Sequence, residues 1–320
     1  MTTVSDVLAQ MMAAGMPEVP DRLEVTGRLR RFGRKKRGWY QLHEHVGRRG
    51  RFYVTGAFGY WGLVDGQRVQ PAGDFSEADR ESMRREVQAL AQREEDRRRR
   101  SAAAAAMRSG ERWRAASRDG SSAYLTRKGL DCAESIRFEA DGTVLVPMLR
   151  YDLARDQALV GVQAIRTDGE KRFARGTAKA GAACRLGLVV EGAPILLAEG
   201  YATGMTLRMA VQRRLPVFVA FDAGNLEPVA GILRALHPRC PLLVCADDDW
   251  MTEGNPGRAK AAKLVKTLPK THLIYPVWPA QRGPKDTDFN DLHLAAGLHV
   301  VAAQLRGALQ WLEREDRRAA

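Results

Sequence analysis

Four short, continuously apolar runs organise the second half of the chain: PILLAEG (194–200), PVFVAFD (216–222), PLLVCADDD (241–249) and THLIYPV (271–277). They begin 22–30 residues apart, and between them lie MTLRMAVQRR, NLEPVAGILRAL and GRAKAAKLVKTL, each apolar at helical spacing. A strand that is apolar at every position is covered on both faces, and alternating helices supply the covers. The spacing predicts an α/β fold, a parallel sheet flanked by helices over about residues 193–310.

The front of the chain follows other rules. Over about residues 22–72, short aromatic and β-branched runs are broken by Gly-containing turns, which predicts a small β-rich module within 1–75. Next, no Gly or Pro interrupts residues 74–109, and Met83, Val87, Leu90 and Ala91 form one helical stripe. A long, largely solvated helix is expected over 76–118, opened by a Ser76–Asp79 cap. The run Arg97–Arg100 is read as a solvated face, with phosphate contact as the alternative. Residues 119–192 read as mixed α+β rich in strands and turns, including a hairpin at Asp168-Gly169. Residues 311–320 read as a helix end and tail.

Composition narrows the partners. The 320 residues carry 51 Lys+Arg against 38 Asp+Glu, a formal charge of +13. Of that excess, +10 falls in residues 1–180 and +3 in 181–320. A polyanionic partner is implied, gripped by the front half. Nine of the 22 aromatics lie in residues 1–75, interleaved with RRFGRKKR and GRRGR. That interleaving suits single-stranded nucleic acid, although Trp39, Tyr40, Phe52, Tyr53, Tyr60 and Trp61 would also serve as the core of a small sheet. The four cysteines form no CxxC pair, so no zinc ribbon is expected. The N-terminus lacks the pattern of a signal peptide, and no run is long enough to span a bilayer, so a cytoplasmic chain with no membrane partner is expected.

Ligands of open parallel sheets bind at the carboxyl ends of the strands. Here the first run ends in Glu199-Gly200, the third in Asp247-Asp248-Asp249, and the loop after the fourth carries Asp286, Asp288 and Asp291. Such hard oxygen ligands suit Mg²⁺ or Mn²⁺, two or more ions. Residues two apart in an extended segment face the same way, so Asp247 and Asp249 act together while Asp248 points elsewhere. Gly200 allows a sharp turn where a phosphate approaches, and Gly257 leaves N–H groups free at a helix start. Other signatures fail: GTAKAGAA (176–183) lacks the Lys-Ser/Thr of a P-loop, and His43-Glu44-His45 is not HExxH.

Taken together, YLTRKG (124–129), VLVPML (144–149), VGVQAIRTDGEKRFARG (160–176), LLAEGYATGMTL (196–207), CADDDWMTEGNPGRAKAA (245–262) and TDFNDLH (287–293) resemble the Toprim-domain primases of plasmids, integrative elements and satellite phages. The resemblance covers about residues 120–300, and more weakly the stretch WYQLHEHVGRRGRFYVTGAFGYW (39–61). It implies a Toprim domain at 193–310 behind the basic part of a primase core at 119–192. It also implies a DNA primase, a nucleotidyltransferase that makes short RNA primers on single-stranded DNA from nucleoside triphosphates during mobile-element replication, with a helicase acting in trans. Glu199 corresponds to the acid/base of nucleotidyl transfer, and Asp247 and Asp249 to the metal-binding pair. Asp286 and Asp288 correspond to a second acidic pair, with Asp291 a further candidate ligand. Lys171, Arg172 and Lys179 fall where basic side chains face nucleotide and template, and Lys260 or Lys263 assists. Two departures stand out: Thr203 replaces an aspartate of the cellular enzymes, and their zinc ribbon is missing. Two other classes stay open, a Toprim nuclease using the same metals and a non-catalytic DNA-binding accessory protein.

Overall fold

The computed structural model describes residues 2–47, 50–70, 77–130 and 132–319, with the side chains of Asp79 and 315–319 left aside. Ser76, half of the expected helix cap, lies outside the described residues. The chain divides into two compact units, Met1–Asp96 and Arg97–Ala320.

The first unit opens with α1 (Val4–Ala13), absent from the sequence reading, which a reciprocal Thr3–Asp6 capping box starts. Strands β1 (Arg30–Phe32), β2 (Gly38–Val46), β3 (Phe52–Tyr60) and β4 (Val64–Arg68) follow, paired antiparallel in that order. Val7 and Met11 of α1 pack on Tyr40, Leu42, Val54, Phe58 and Tyr60. The module is therefore β-rich as expected. Several of its aromatics form its core, while Phe52 and Trp61 stay exposed.

Helix α2 (Glu77–Ala115) runs 39 residues, close to the expected span. Val87 and Leu90 are exposed, so the apolar stripe seen in the sequence stays in water. Its last turns belong to the second unit, where Ala105 and Ser109 are buried and Arg112 makes a bidentate ion pair with Glu139.

The second unit continues with α3 (Ala123–Arg127) and the antiparallel strands β5 (Arg137–Phe138), β6 (Val144–Leu149), β7 (Leu159–Ile165) and β8 (Lys171–Phe173). The β7–β8 turn is the expected hairpin: Gly169 has φ +97°, and Asp168 Oδ1 accepts the Glu170 N–H at 2.9 Å. Then come β9 (Cys184–Leu186), β10 (Ile195–Ala198), α4 (Tyr201–Ala210), β11 (Val217–Val219), α5 (Leu226–Leu236), β12 (Leu242–Cys245), α6 (Pro256–Thr267) and β13 (Thr271–Ile274). The sheet order is β13-β12-β10-β11-β9. The four expected strands pair parallel, and β9 adds an antiparallel edge beside β11. Helices α7 (Phe289–Ala296) and α8 (Leu298–Ala319) close the chain; α8 passes unbroken through residue 311, and Leu312 is buried.

Side-chain alternation explains why the strands are apolar throughout. Leu196, Ala198, Val217, Val219, Leu243 and Cys245 join Tyr201, Met205, Phe289, Leu292, Val301 and Leu305 in one core. Their neighbours Ile195, Leu197, Phe218, Leu242 and Val244 meet Leu226, Val229, Leu233, Ala261 and Leu264 in the other. Each fully buried aliphatic side chain contributes about 1.5–3 kcal/mol, so each face strongly specifies its cover. The helix after β10 packs on the first face and the helix after β12 on the second. These neighbouring strands thus frame a topological switch point, where a crevice opens at their carboxyl ends. Among the described residues, no helix is long and apolar enough to cross a membrane.

Candidate active site

The crevice collects carboxylates. Glu199 follows β10, Asp247 and Asp249 follow β12, and Asp288 N-caps α7. Glu199 is 9% exposed, and its Oε1 is buried without a hydrogen-bond partner. Asp247 Oδ1 is buried and unpartnered in the same way. Burial, together with the charges of Asp249 and Asp222, pushes Glu199 up to about 7, against the Asp247 N–H and Lys260, which favour its ionised form. Asp247 is held well above the usual carboxylate range by burial, then by Glu199, Asp288 and Asp249; Lys171 opposes this. Asp288 is raised by burial and by Asp291, in spite of hydrogen bonds from the Asp291 N–H and Thr203. Two buried oxygens without donors, among mutually repelling hard ligands, are what a divalent cation would satisfy.

Local structure explains each placement. Gly257 sits in the first turn of α6, where a Cβ would lie 2.6 Å from the Asp247 carbonyl oxygen and 3.2 Å from Glu199 Oε1. The glycine thus serves close packing of helix on strand end as well as free N–H groups. Gly200 is the N-cap of α4 with no side-chain cap, and Lys171 Nζ and Thr203 Oγ1 stand beside it. Thr203, in the aspartate's place, donates to Asp288 Oδ2 at 2.8 Å, so the departure from the cellular pattern still touches the cluster.

Alternation holds across the Asp triplet. Asp248 turns away into ion pairs with Arg282 (2.8 Å) and Arg258 (3.3 Å) and accepts from Asn255. Burial would raise its carboxyl, but the Asn255 and Arg282 hydrogen bonds and the guanidinium charges outweigh that and hold it below the usual range. In β8, Lys171 and Phe173 share a face, and Arg172 on the other pairs with Glu170 at 2.7 Å, exposed. The structure thus brings Lys171 to the cluster and turns Arg172 from it. Lys179 pairs with Asp222, and Lys260 approaches Gly224 in the same corner; Lys263, one turn on, is exposed.

The loop acids divide. Asp286 accepts the Gly283 N–H at 2.8 Å, turned into its own loop. Asp291 binds Lys128 at 3.3 Å and accepts the Thr287 N–H at 3.0 Å, reciprocating the Asp288 cap. Glu199, Asp247, Asp249 and Asp288 remain facing the crevice.

Some site residues escaped the sequence reading. A pocket of about 250 Å³ beside Asp288 is lined by Arg127, Lys128, Lys171, Gly200 and Thr203. Arg127 is held by the Thr167 carbonyl at 2.7 Å. YLTRKG reaches this place because TDFNDLH clamps it: Asn290 donates to the Lys128 carbonyl at 2.8 Å, and His293 meets that of Gly129 at 3.2 Å. Asp222 closes the second apolar run, three residues past the end of β11, and a carboxylate beyond a strand end was its legible signal. Elsewhere, a hollow of about 550 Å³ beside the Arg112–Glu139 pair contains none of these carboxylates. Glu191, His237 and Cys240 bring ligand atoms within 4.8 Å of one another at the opposite, amino-terminal edge of the sheet; Arg239 already binds Glu191 at 3.0 Å.

Residues 194–299 match the Toprim domain family, so the parallel sheet with its carboxylate edge is a Toprim domain. Two proteins named DNA primase TraC, both from Escherichia coli, are 35% identical over 163 and 173 residues, 48% and 51% of this chain. The chain spans only 15% and 12% of their lengths. Among solved structures, the primase fragment of the bacteriophage T7 primase-helicase protein overlaps 58% of this chain and 74% of its own, at 18% identity and TM-score 0.42. The RNA polymerase domain of Mycobacterium tuberculosis primase DnaG overlaps 61% and 64%, at 20% identity and TM-score 0.32.

Proposed function

We propose that this Toprim-bearing chain is a DNA primase, joining ribonucleotides into short primers on single-stranded DNA. The observation that carries the reading is the convergence of Glu199, Asp247, Asp249 and Asp288, two with orphaned buried oxygens, beside a basic pocket on a Toprim sheet. The similarity to proteins named DNA primase supports the same reading.

Priming forms a bond between a 3′-hydroxyl oxygen and the α-phosphorus of the next triphosphate, and breaks the bond from that phosphorus to pyrophosphate. Glu199, Asp247, Asp249 and Asp288 would hold Mg²⁺ or Mn²⁺, which when bound neutralises charge building at phosphorus and acidifies the attacking hydroxyl. Glu199, buried at the carboxyl end of β10, would position a metal or accept the proton that the attacking hydroxyl releases. Lys171, Arg127 and Lys128 face the pocket where phosphate oxygens would lie. The uncapped amino end of α4 offers its N–H groups to the same anion. Lys179 and Lys260 balance Asp222 and Glu199 at the neighbouring strand end. On this reading a helicase acts in trans, the protein works in the cytoplasm, and the chain serves replication of a mobile element.

The test incubates the full chain with labelled ribonucleoside triphosphates, single-stranded DNA and Mg²⁺ or Mn²⁺. Short oligoribonucleotides are expected, and the double variant Asp247→Ala, Asp249→Ala should lose at least about 100-fold in their rate while still binding the template. Undiminished synthesis by the variant overturns the site assignment. Shortened DNA in place of primers would establish a nuclease.

A further inference from the structure

The first unit carries a surface that the catalytic chemistry does not use. Register in its sheet sorts side chains by face. Tyr40, Leu42, Val54, Phe58 and Tyr60 enter the core, and Arg31, Trp39, Gln41, Ala57 and Arg68 share the opposite side. One end of that side is closed, where His45 and Tyr53 are buried and Glu86 of α2 meets His45 Nδ1 at 2.8 Å. The other end is open: Arg31, Gln41, Gly66 and Arg68 are exposed, Trp39 is half-buried, and Trp61 is 58% exposed.

The open end is built. The Trp39 indole lies across Gly59 and Gly66, where a Cβ would come within 2.9 and 3.1 Å of the ring. A Cβ at Gly59 would force a shift there, and one at Gly66 would press on the ring. Trp61, though exposed, is positioned: Arg37 donates twice to its carbonyl, at 3.1 and 2.8 Å, and the Arg31 guanidinium stands 5.7 Å from its ring centroid. Residues 22–70 hold twelve Lys and Arg against three Asp and Glu, and of these Arg31, Arg37 and Arg68 lie at the open end. Two indoles on a glycine-flattened surface ringed by arginines match a chain that offers unpaired bases for stacking and phosphates for pairing. A duplex offers the phosphates but hides the base faces, and an anionic membrane offers no rings to stack.

We propose that this open half-face is a single-stranded DNA platform, with bases stacking on Trp39 and Trp61 and phosphates neutralised by Arg31, Arg37 and Arg68. The choice of DNA over RNA rests on the primase reading; the stacking surface does not.

Fluorescence anisotropy of labelled oligo(dT) with the full chain tests it. Arg31→Ala with Trp61→Ala should weaken binding roughly 5- to 100-fold, while Trp61→Phe keeps most of the affinity. Gly66→Val, which lifts the Trp39 ring and removes no aromatic, should weaken binding several-fold; its circular dichroism should match the parent chain. Unchanged affinity in the double variant overturns the platform. An equal loss on blunt duplex or on phosphatidylserine vesicles reduces it to a charged patch and also overturns it. An equal loss on oligo(U) overturns the assignment to DNA. The two readings fail separately. A parent chain that makes no primers but loses oligo(dT) in these variants keeps the platform and sinks the primase. Primer synthesis alongside unchanged oligo(dT) affinity does the reverse.

Discussion

Asp247 illustrates what a single residue does here. Its Oδ1 is buried without a donor, and its neighbours Glu199, Asp288 and Asp249 all repel its charge. Without metal such a group costs stability, so Asp247→Asn should raise Tm in EDTA at pH 8 by several degrees, at about 2–4 °C per kcal/mol, and abolish priming. The sign with pH follows from the raised values. A carboxyl raised in the folded state holds its proton more tightly there. Its contribution is therefore most favourable below the unfolded value near 4, and falls as pH rises towards the value of about 7 reached by Glu199. Because Mg²⁺ or Mn²⁺ requires the ionised forms, the ion should raise Tm more at pH 8 than at pH 5. Thermal melts of parent and variant, with and without ion, check both expectations; an equal gain at the two pH values would count against these carboxylates as ligands.

At the scale of elements, the site exists because β10 and β12 are neighbours whose following helices cover opposite faces. Glu199 and Asp247 lie 48 positions apart in sequence and meet only through this pairing. The loop after β12 is anchored by Asp248, 8% exposed in its side chain, between Arg282 and Arg258. Asp248→Asn should cost about 2 kcal/mol at pH 7, less than a fully buried pair because Arg258 stays partly in water. Asp248 has a lowered carboxyl, so its contribution is present above the unfolded value near 4 and is lost as pH falls through the lower folded value. The difference between parent and variant in urea unfolding should therefore shrink below about pH 4. A constant difference down to pH 3 would show that the ion pairs are not its source.

At the scale of the whole molecule, the +13 charge is distributed by task. Twelve of the basic residues sit in 22–70, whereas the Toprim edge gathers the carboxylates Glu199, Asp247, Asp249 and Asp288. Binding of single-stranded DNA should then be strongly salt-dependent, with a log–log slope of about −3 to −4 if roughly five phosphates are neutralised. Arg31→Ala with Arg68→Ala should flatten that slope, and Asp247→Asn should leave it nearly unchanged. Anisotropy titrations over a salt series measure both.

The parallel sheet, its flanking helices and the carboxylates at its strand ends were legible in the amino-acid order, because burial on both faces forces continuous apolar runs and leaves polar groups only where strands stop. The opposition of Asp248 to Asp247 and Asp249 was legible too, since side chains alternate in an extended chain. Other features depend on contacts that no local pattern encodes. Arg127 and Lys128 reach the pocket on a segment that Asn290 and His293 clamp from 162 and 164 positions away, and Thr203 reaches Asp288 across 85. Which of Lys171 and Arg172 meets the carboxylates was settled by the register of β8, and whether an aromatic is core or surface by which sheet face α1 covers. Periodicity and strand ends are short-range consequences of covalent geometry and burial, so the sequence determined them alone. Convergence of residues distant along the chain is a product of packing, and the tertiary structure alone decided it.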